Sequence, residues 1–126
     1  MQHGVSRRGQ SSAGQASVEF ALVLPVVVVM GLGLVVIGVA VRNELAVELA
    51  AREGARAAAV SAAPTSAATA AATRAVQLPI EVSTTSDGAT VTVTVRYTDA
   101  VDIALVGTLI GPVTHTATVT MAIEPP

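Results

Sequence analysis

Residues 14–41 read GQASVEFALVLPVVVVMGLGLVVIGVAV. From Ala21 to Val41 no residue is charged. At about 1.5 Å per residue this run covers roughly 31 Å, the thickness of the hydrocarbon core of a bilayer. One carboxylate, Glu19, stands at the start of the run, where ionisable groups are costly and are usually kept for a reason. The stretch therefore predicts a membrane helix with an acidic residue at its N-terminal end.

The composition of the 126-residue chain narrows the possible functions. Hydrophobic residues make up 52%, mostly Ala and Val, and the aromatic residues are Phe20 and Tyr97. The absence of cysteine excludes disulfides and Cys-based metal or redox sites. The net charge of −2 is too weak to indicate a nucleic-acid partner.

The charges on either side of the apolar run indicate an orientation. Arg7 and Arg8 precede it, and a mixed set follows it: Arg42, Glu44, Glu48 and Arg52. The positive-inside rule then predicts a single-pass protein of the cytoplasmic membrane, with its N-terminus cytoplasmic and its C-terminal part extracytoplasmic. A cleaved secretory signal peptide is the alternative, but its apolar region is shorter and ends at a small-residue cleavage site.

The chain divides into three predicted regions. Residues 1–14 form a flexible cytoplasmic leader, residues 15–61 one long helix with the membrane span at 21–41, and residues 62–126 a small extracytoplasmic head. Pro25 lies inside the helical pattern and predicts a kink in the membrane helix. Beyond the span, Glu48 and Arg52 have the favourable i,i+4 order for an ion pair.

A stripe of small residues follows the span on one face of the predicted helix. It consists of Val47, Ala50, Ala51, Gly54, Ala57 and Ala58. Such a stripe lets a second helix or a sheet approach closely, so Ala50, Ala51, Gly54 and Ala58 are candidate packing residues. Equally, Ala is abundant here and forms helix readily.

The head is predicted to be α+β. Pro64 ends the long helix, Thr65 or Ser66 caps a short helix over 67–76, and after Pro79 the period changes from 3.6 to 2. Strands are predicted at 80–85, 90–97 and 113–123, with a turn at 86–88. They form a three-stranded antiparallel sheet, whose apolar face needs the short helix and the outer half of the long helix as covers.

The apolar connector, residues 101–110, is either a short helix or a loop. An apolar connector in so small a domain is a candidate contact surface, but the favoured interpretation is that it covers its own sheet.

Residues that could carry chemistry are few. His115, in a Thr-rich strand, is expected to be partly exposed rather than a ligand or base. Asp99 and Asp102 could form a weak metal site, but turn and cap roles are favoured. We expect no enzyme activity, no cofactor, no metal and no small-molecule substrate; an envelope hydrolase using these three residues is a remote alternative.

Glu19 allows two interpretations. It is an acid that is favourable near a helix N-terminus, or it is a charge kept for a specific partner. If the chain is cut after Gly14, the new α-amine of Gln15 lies four residues from Glu19 and is largely protonated at neutral pH. This pair could form within one chain or between packed helices, where it would set their register.

Several motifs resemble those of one family. The segment Gly14–Phe20 is similar to a type IV pilin-like leader, and Phe20–Pro25 (FALVLP) to the signature of TadE-like proteins, pseudopilins of the tight-adherence (Flp) pilus system. Residues 51–58 (AREGARAA) resemble the Ala/Arg/Gly segment that follows the membrane helix in that family.

The resemblance implies a function in assembly. The chain would be a prepilin peptidase substrate, processed between Gly14 and Gln15, with Glu19 and Phe20 serving in recognition and helix register. It would be a minor pseudopilin that packs through its hydrophobic helix with other pilin-like subunits and the assembly platform of an adhesive pilus or related secretion apparatus. The alternative is a signal-anchored exported binding or adhesion module without a pilus role.

Overall fold

A computed structural model describes residues 8–100 and 106–125. The elements are α1 (Arg8–Ala59), α2 (Pro64–Ala75), β1 (Glu81–Ser86), β2 (Thr90–Asp99), α3 (Val106–Ile110) and β3 (Val113–Ala122). The chain divides into two compact units, Met1–Gly38 and Val39–Pro126. The second unit contains residues 39–59 of α1, all the strands of the described chain and the core. From here on, the head means this whole unit, and the outer part of α1 means residues 39–59.

Helix α1 extends further toward the N-terminus than the sequence pattern indicates. It begins at Arg8 rather than at Gln15, and it ends at Ala59, two residues before the predicted end. Ser, Gly and Gln at 9–15 favour helix only weakly, but each residue added to an existing helix costs far less than starting one. The predicted i,i+4 pair is present, with Arg52 Nη2 3.4 Å from Glu48 Oε2.

Helix α2 starts differently from the prediction. Pro64 lies at its first position, where the missing N–H costs nothing, and the N-cap is Ala63 without a side-chain cap. The expectation that Thr65 or Ser66 caps this helix is therefore wrong. Instead, the Ser66 hydroxyl donates to the Ala63 carbonyl.

The predicted sheet is confirmed. Among the described residues it has the order β1-β2-β3, and both pairs are antiparallel. At the β1–β2 turn, Asp87 Oδ1 accepts hydrogen bonds from the N–H groups of Thr90 and Ala89, at 2.6 and 2.9 Å. Both bonds lower the pKa of Asp87, and the bond from Thr90 has the larger effect. Gly88 follows with φ 89°, a backbone conformation that favours glycine.

The core of the head lies between the sheet and the two longer helices. Val91, Val93 and Val95 of β2 are fully buried, and they meet small side chains from both helices. The buried helix residues are Val47, Ala50, Ala51, Ala55, Ala58 and Ala59 of α1 and Ala68 and Ala72 of α2. Both predicted covers are thus in place, and alanines at these positions bring the helix backbones close to the sheet.

The part of the connector that the structure describes forms a helix. Helix α3 ends in a hydrogen bond from the Gly111 N–H to the Gly107 carbonyl, and Gly111 has φ 72° before β3 begins. Leu109 and Ile110 of α3 are exposed. The expectation that the connector covers its own sheet is wrong for these two side chains. The connector residues 101–105 lie outside the described residues.

Candidate functional site

The candidate processing residues lie together on α1. Gln15 and Glu19 are four residues apart on one face, and Gln15 Nε2 donates to Glu19 Oε1 at 3.3 Å. An exposed pair of this type stabilises a helix by only about 0.2–0.5 kcal/mol. The stability that the Gln15–Glu19 contact adds is therefore too small to explain why an acidic residue lies at the N-terminal end of the apolar run.

The helix around this segment is open to its surroundings. A Cβ added at Gly14 would meet nothing within 4 Å. Phe20 is exposed, as are most of the large apolar side chains from Leu22 to Val41. Helix α1 is long and apolar enough to cross a membrane, and its most apolar window buries none of its residues. A core helix of a globular domain would bury such a face, so this surface fits a lipid environment.

Pro25 lies inside α1, which continues without interruption on both sides of it. Because proline has no N–H, the carbonyl of Ala21 receives no helical hydrogen bond from it. The predicted kink at this position stays a prediction.

The four candidate packing residues lie in the head. Ala50, Ala51 and Ala58 are fully buried, and Gly54 is buried with them. A Cβ at Gly54 would stand 3.2 Å from the Ala68 carbonyl oxygen and 3.2 Å from Val93 Cγ1. This side of α1 therefore packs against its own head, and it is not free to contact another subunit while the head is folded.

A polar junction that the sequence did not reveal joins α1 to the sheet. It consists of Asn43 and Glu44 of α1, Tyr97 and Asp99 of β2, and His115 of β3. Asn43, only 4% exposed, donates through Nδ2 to Asp99 Oδ2 at 2.8 Å. His115 Nδ1 lies 2.9 Å from Glu44 Oε2. Because an ionised carboxylate only accepts, Nδ1 is the donor.

His115 is buried, contrary to the expectation of partial exposure. It is 6% exposed, and its ring stacks on that of Tyr97, with centroids 6.4 Å apart. Burial raises the pKa of Tyr97, and the nearby Asp99 carboxylate adds to this shift. The strand parity of Ala117 and Val119, which point to the core side, places His115 on the same face and could have indicated its burial.

The structure brings some candidates together and leaves others apart. Gly14, Gln15, Glu19 and Phe20 are neighbours on α1. Asp99 is the last residue of β2 and accepts from Asn43. Asp102 lies outside the described residues. Within the described chain no three His, Cys, Asp or Glu residues are grouped as a metal ion would need.

The Asn43–Asp99 hydrogen bond gives a testable prediction. Asn43→Ala and Asp99→Ala should each lower the free energy of unfolding by about 1–3 kcal/mol, because each leaves a partly or fully buried polar group without its partner. The double variant should lose less than the sum of the two, since the bond is lost only once. Chemical unfolding of the full chain in detergent, followed by circular dichroism, measures this.

The control for this double-mutant comparison is Thr98→Ala, at an exposed position of the same strand. We expect it to change the free energy of unfolding by less than about 0.5 kcal/mol. Strictly additive losses at the two positions would show that the side chains do not interact.

Comparison with known proteins supports one assignment. No curated protein and no solved structure gives a significant match to this chain. Residues 14–56 match the family model of TadE-like proteins. The match runs from the candidate cleavage position through the apolar run to the small-residue stripe, and it covers about a third of the chain. Over residues 14–56 the resemblance seen in the sequence is thus confirmed: this segment is similar to TadE-like proteins, a family of tight-adherence pilus systems.

Proposed function

We propose that this chain is a minor pseudopilin of a tight-adherence pilus system. A prepilin peptidase cuts it between Gly14 and Gln15, and the apolar helix stays attached and anchors it in the cytoplasmic membrane. The observation that carries the proposal is the placement of Glu19: an exposed acid at the fifth position of the mature chain, directly before an exposed apolar helix.

The processed end supplies a partner for this acid. The exposed Gln15–Glu19 contact shows that the two residues are within reach on α1. After the cut, Gln15 also carries a protonated α-amine, and an ammonium group attracts a carboxylate more strongly at a membrane surface than in water. When Glu19 meets the amine of a neighbouring subunit instead, the pair fixes the axial position of one apolar helix against the next.

The orientation follows from charge. Arg7 and Arg8 lie on the side of the span that is cut, and positive residues favour the cytoplasmic side. The head is then extracytoplasmic, and the exposed face of the span packs with pilin-like subunits and the assembly platform. This proposal gives the chain a role in packing and none in catalysis.

The head offers less support for an independent binding module. Such a module should fold when it is separated from its anchor. Here Val47, Ala50, Ala51 and Ala58, which continue directly from the span, form one side of the core. Residues 62–126 alone would expose the apolar face of the sheet, and a unit of this size has little stability to lose.

Co-expression with a tight-adherence prepilin peptidase tests the proposal. N-terminal sequencing and intact mass of the membrane-extracted chain should give a mature protein that begins at Gln15. The same chain expressed without the peptidase should keep residues 1–14. A mature chain that begins at another residue, or a chain left uncut by an active peptidase, would refute the proposed processing.

A further inference from the structure

Two hydrogen bonds in the head show that the sheet runs alongside α1. Asn43 Nδ2 meets Asp99 Oδ2 at 2.8 Å, and the Glu124 N–H donates to the Ala59 carbonyl at 3.1 Å. Asn43 and Ala59 are about 24 Å apart along a helix, a distance that the ten residues of β3 readily span at about 3.3 Å each. Strand β3 therefore runs in the same direction as α1.

The end of the sheet near Asn43 lies at the level where the uncharged run of α1 ends. Val41 is the last residue of the uncharged run and Asn43 follows it by two positions, or about 3 Å along the helix. Asp99 is paired with Val113 across the β2–β3 ladder. Both ends of the connection between these strands are thus held at the level where α1 leaves the apolar run.

Helix α3 ends three residues before Val113, close to this level, and presents apolar side chains. Leu109 is 85% exposed and Ile110 is 55% exposed. The sequence from Ile103 to Val113 (IALVGTLIGPV) has no charged residue. Large apolar residues exposed side by side, beside the end of a membrane span, are suited to the boundary between headgroups and acyl chains.

We propose that Leu109 and Ile110 of α3 insert into the outer surface of the membrane as a second lipid contact of the head. The occupant is lipid because α3 ends only three residues before Val113, which is held at the level where the apolar run of α1 ends. The inference rests on the membrane anchoring proposed for α1.

Single cysteines test this contact, because the natural chain has none. Leu109→Cys and Ile110→Cys are labelled with bimane in the full chain, in phosphatidylethanolamine–phosphatidylglycerol nanodiscs. Quenching by iodide reports water, and quenching by a lipid with a nitroxide near its headgroup reports the membrane surface. We expect both probes to be quenched several-fold more by the nitroxide lipid, and several-fold less by iodide, than a probe at Thr85→Cys.

Two reference positions separate the possible failures. Thr85 is exposed at the opposite end of the sheet, so its probe should respond to iodide. Val29 lies in the span, so a probe at Val29→Cys should be shielded from iodide. A shielded Val29 probe with water-exposed Leu109 and Ile110 probes overturns the second contact and leaves the anchoring intact. A water-exposed Val29 probe overturns both.

A further variant excludes insertion driven by the label itself. Leu109→Asp in the Ile110→Cys chain should reduce nitroxide quenching of the Ile110 probe several-fold, whereas Thr85→Asp should leave it unchanged. Both substitutions are at exposed positions, so the head should stay folded. A probe shielded from iodide and nitroxide lipid alike would assign α3 to a protein partner and overturn the lipid contact.

Discussion

Replacing Gly14 with leucine is expected to leave the chain uncut in the presence of its peptidase, so that it keeps its first 14 residues. The proposed scissile bond between Gly14 and Gln15 lies inside α1, and a helical peptide bond has to unwind before a peptidase can bind it in extended form. Glycine eases this step, because it destabilises a helix by about 1 kcal/mol relative to alanine. Leucine removes that weakness and adds bulk beside the bond.

The effect on processing should be large and specific. We expect the rate of cleavage to fall by a factor of about 100 or more, which corresponds to roughly 2.7 kcal/mol of lost transition-state stabilisation. A time course of precursor and mature chain on gels, with intact mass to identify each band, measures it. Gly14→Ala should fall between leucine and the natural residue.

Gly31→Leu is the matched control for this prediction. Gly31 lies on the same helix, and a Cβ there would also meet nothing within 4 Å. Cleavage of the Gly31→Leu chain should be unchanged, since the substitution is remote from the proposed scissile bond. Equal cleavage of the Gly14→Leu chain and the natural chain would show that the cut does not depend on this glycine.

Replacing Gly54 with valine is expected to destabilise the head strongly. At Gly54 three elements meet: a Cβ would stand 3.2 Å from both the Ala68 carbonyl oxygen and Val93 Cγ1, and 3.4 Å from Ala72 Cβ. The backbone oxygen of α2 cannot rotate away, so the branched side chain forces α1 away from α2 and β2. Overpacking of this kind costs about 1–3 kcal/mol and occasionally more. That is a large share of the stability of a small domain, which is of the order of 5 kcal/mol.

Alanine at the same position should have a smaller effect. It adds the 3.2 Å contacts of a single methyl group, but it gains up to about 1 kcal/mol of helix propensity. Hydrogen exchange of the β2 amides in the full chain, in detergent, measures both variants. Protection should fall steeply for Gly54→Val and be largely kept for Gly54→Ala.

Gly38→Val is the matched control, because a Cβ at Gly38 meets nothing within 4 Å. It should leave the β2 amides protected. Full protection of β2 in the Gly54→Val chain would mean that the close approach of α1, α2 and β2 is not required by the fold.

Much of the head could be predicted because its pattern is local. The alternation from Thr90 to Tyr97 specifies which side chains face the core, and Val91, Val93 and Val95 are fully buried as it indicates. The turn at Asp87 and Gly88 is likewise predicted by the adjacent residues that form it. The start of α1 was harder to place, since helix can extend from the apolar run into a segment of weak helix formers.

The candidate site was predictable only where it is contiguous. Gly14 to Phe20 form a short motif on one helix, and the motif identifies the segment without a structure. The Asn43–Asp99 and Glu44–His115 pairs join residues that are 56 and 71 positions apart. No periodicity along the chain relates such positions, so only the packing of α1 on the sheet reveals them.

The order of the elements along the chain also bears on how the protein is made. The outer part of α1 is synthesised well before β2 and β3, so the side chains that it contributes to the core are exposed until those strands have formed. That face is built mainly from alanine rather than from leucine or isoleucine. Alanine keeps a helix stable while it offers little apolar surface for wrong contacts. A nascent chain can thus expose half of its future core residues without aggregating, and the fold is completed once the sheet has been synthesised.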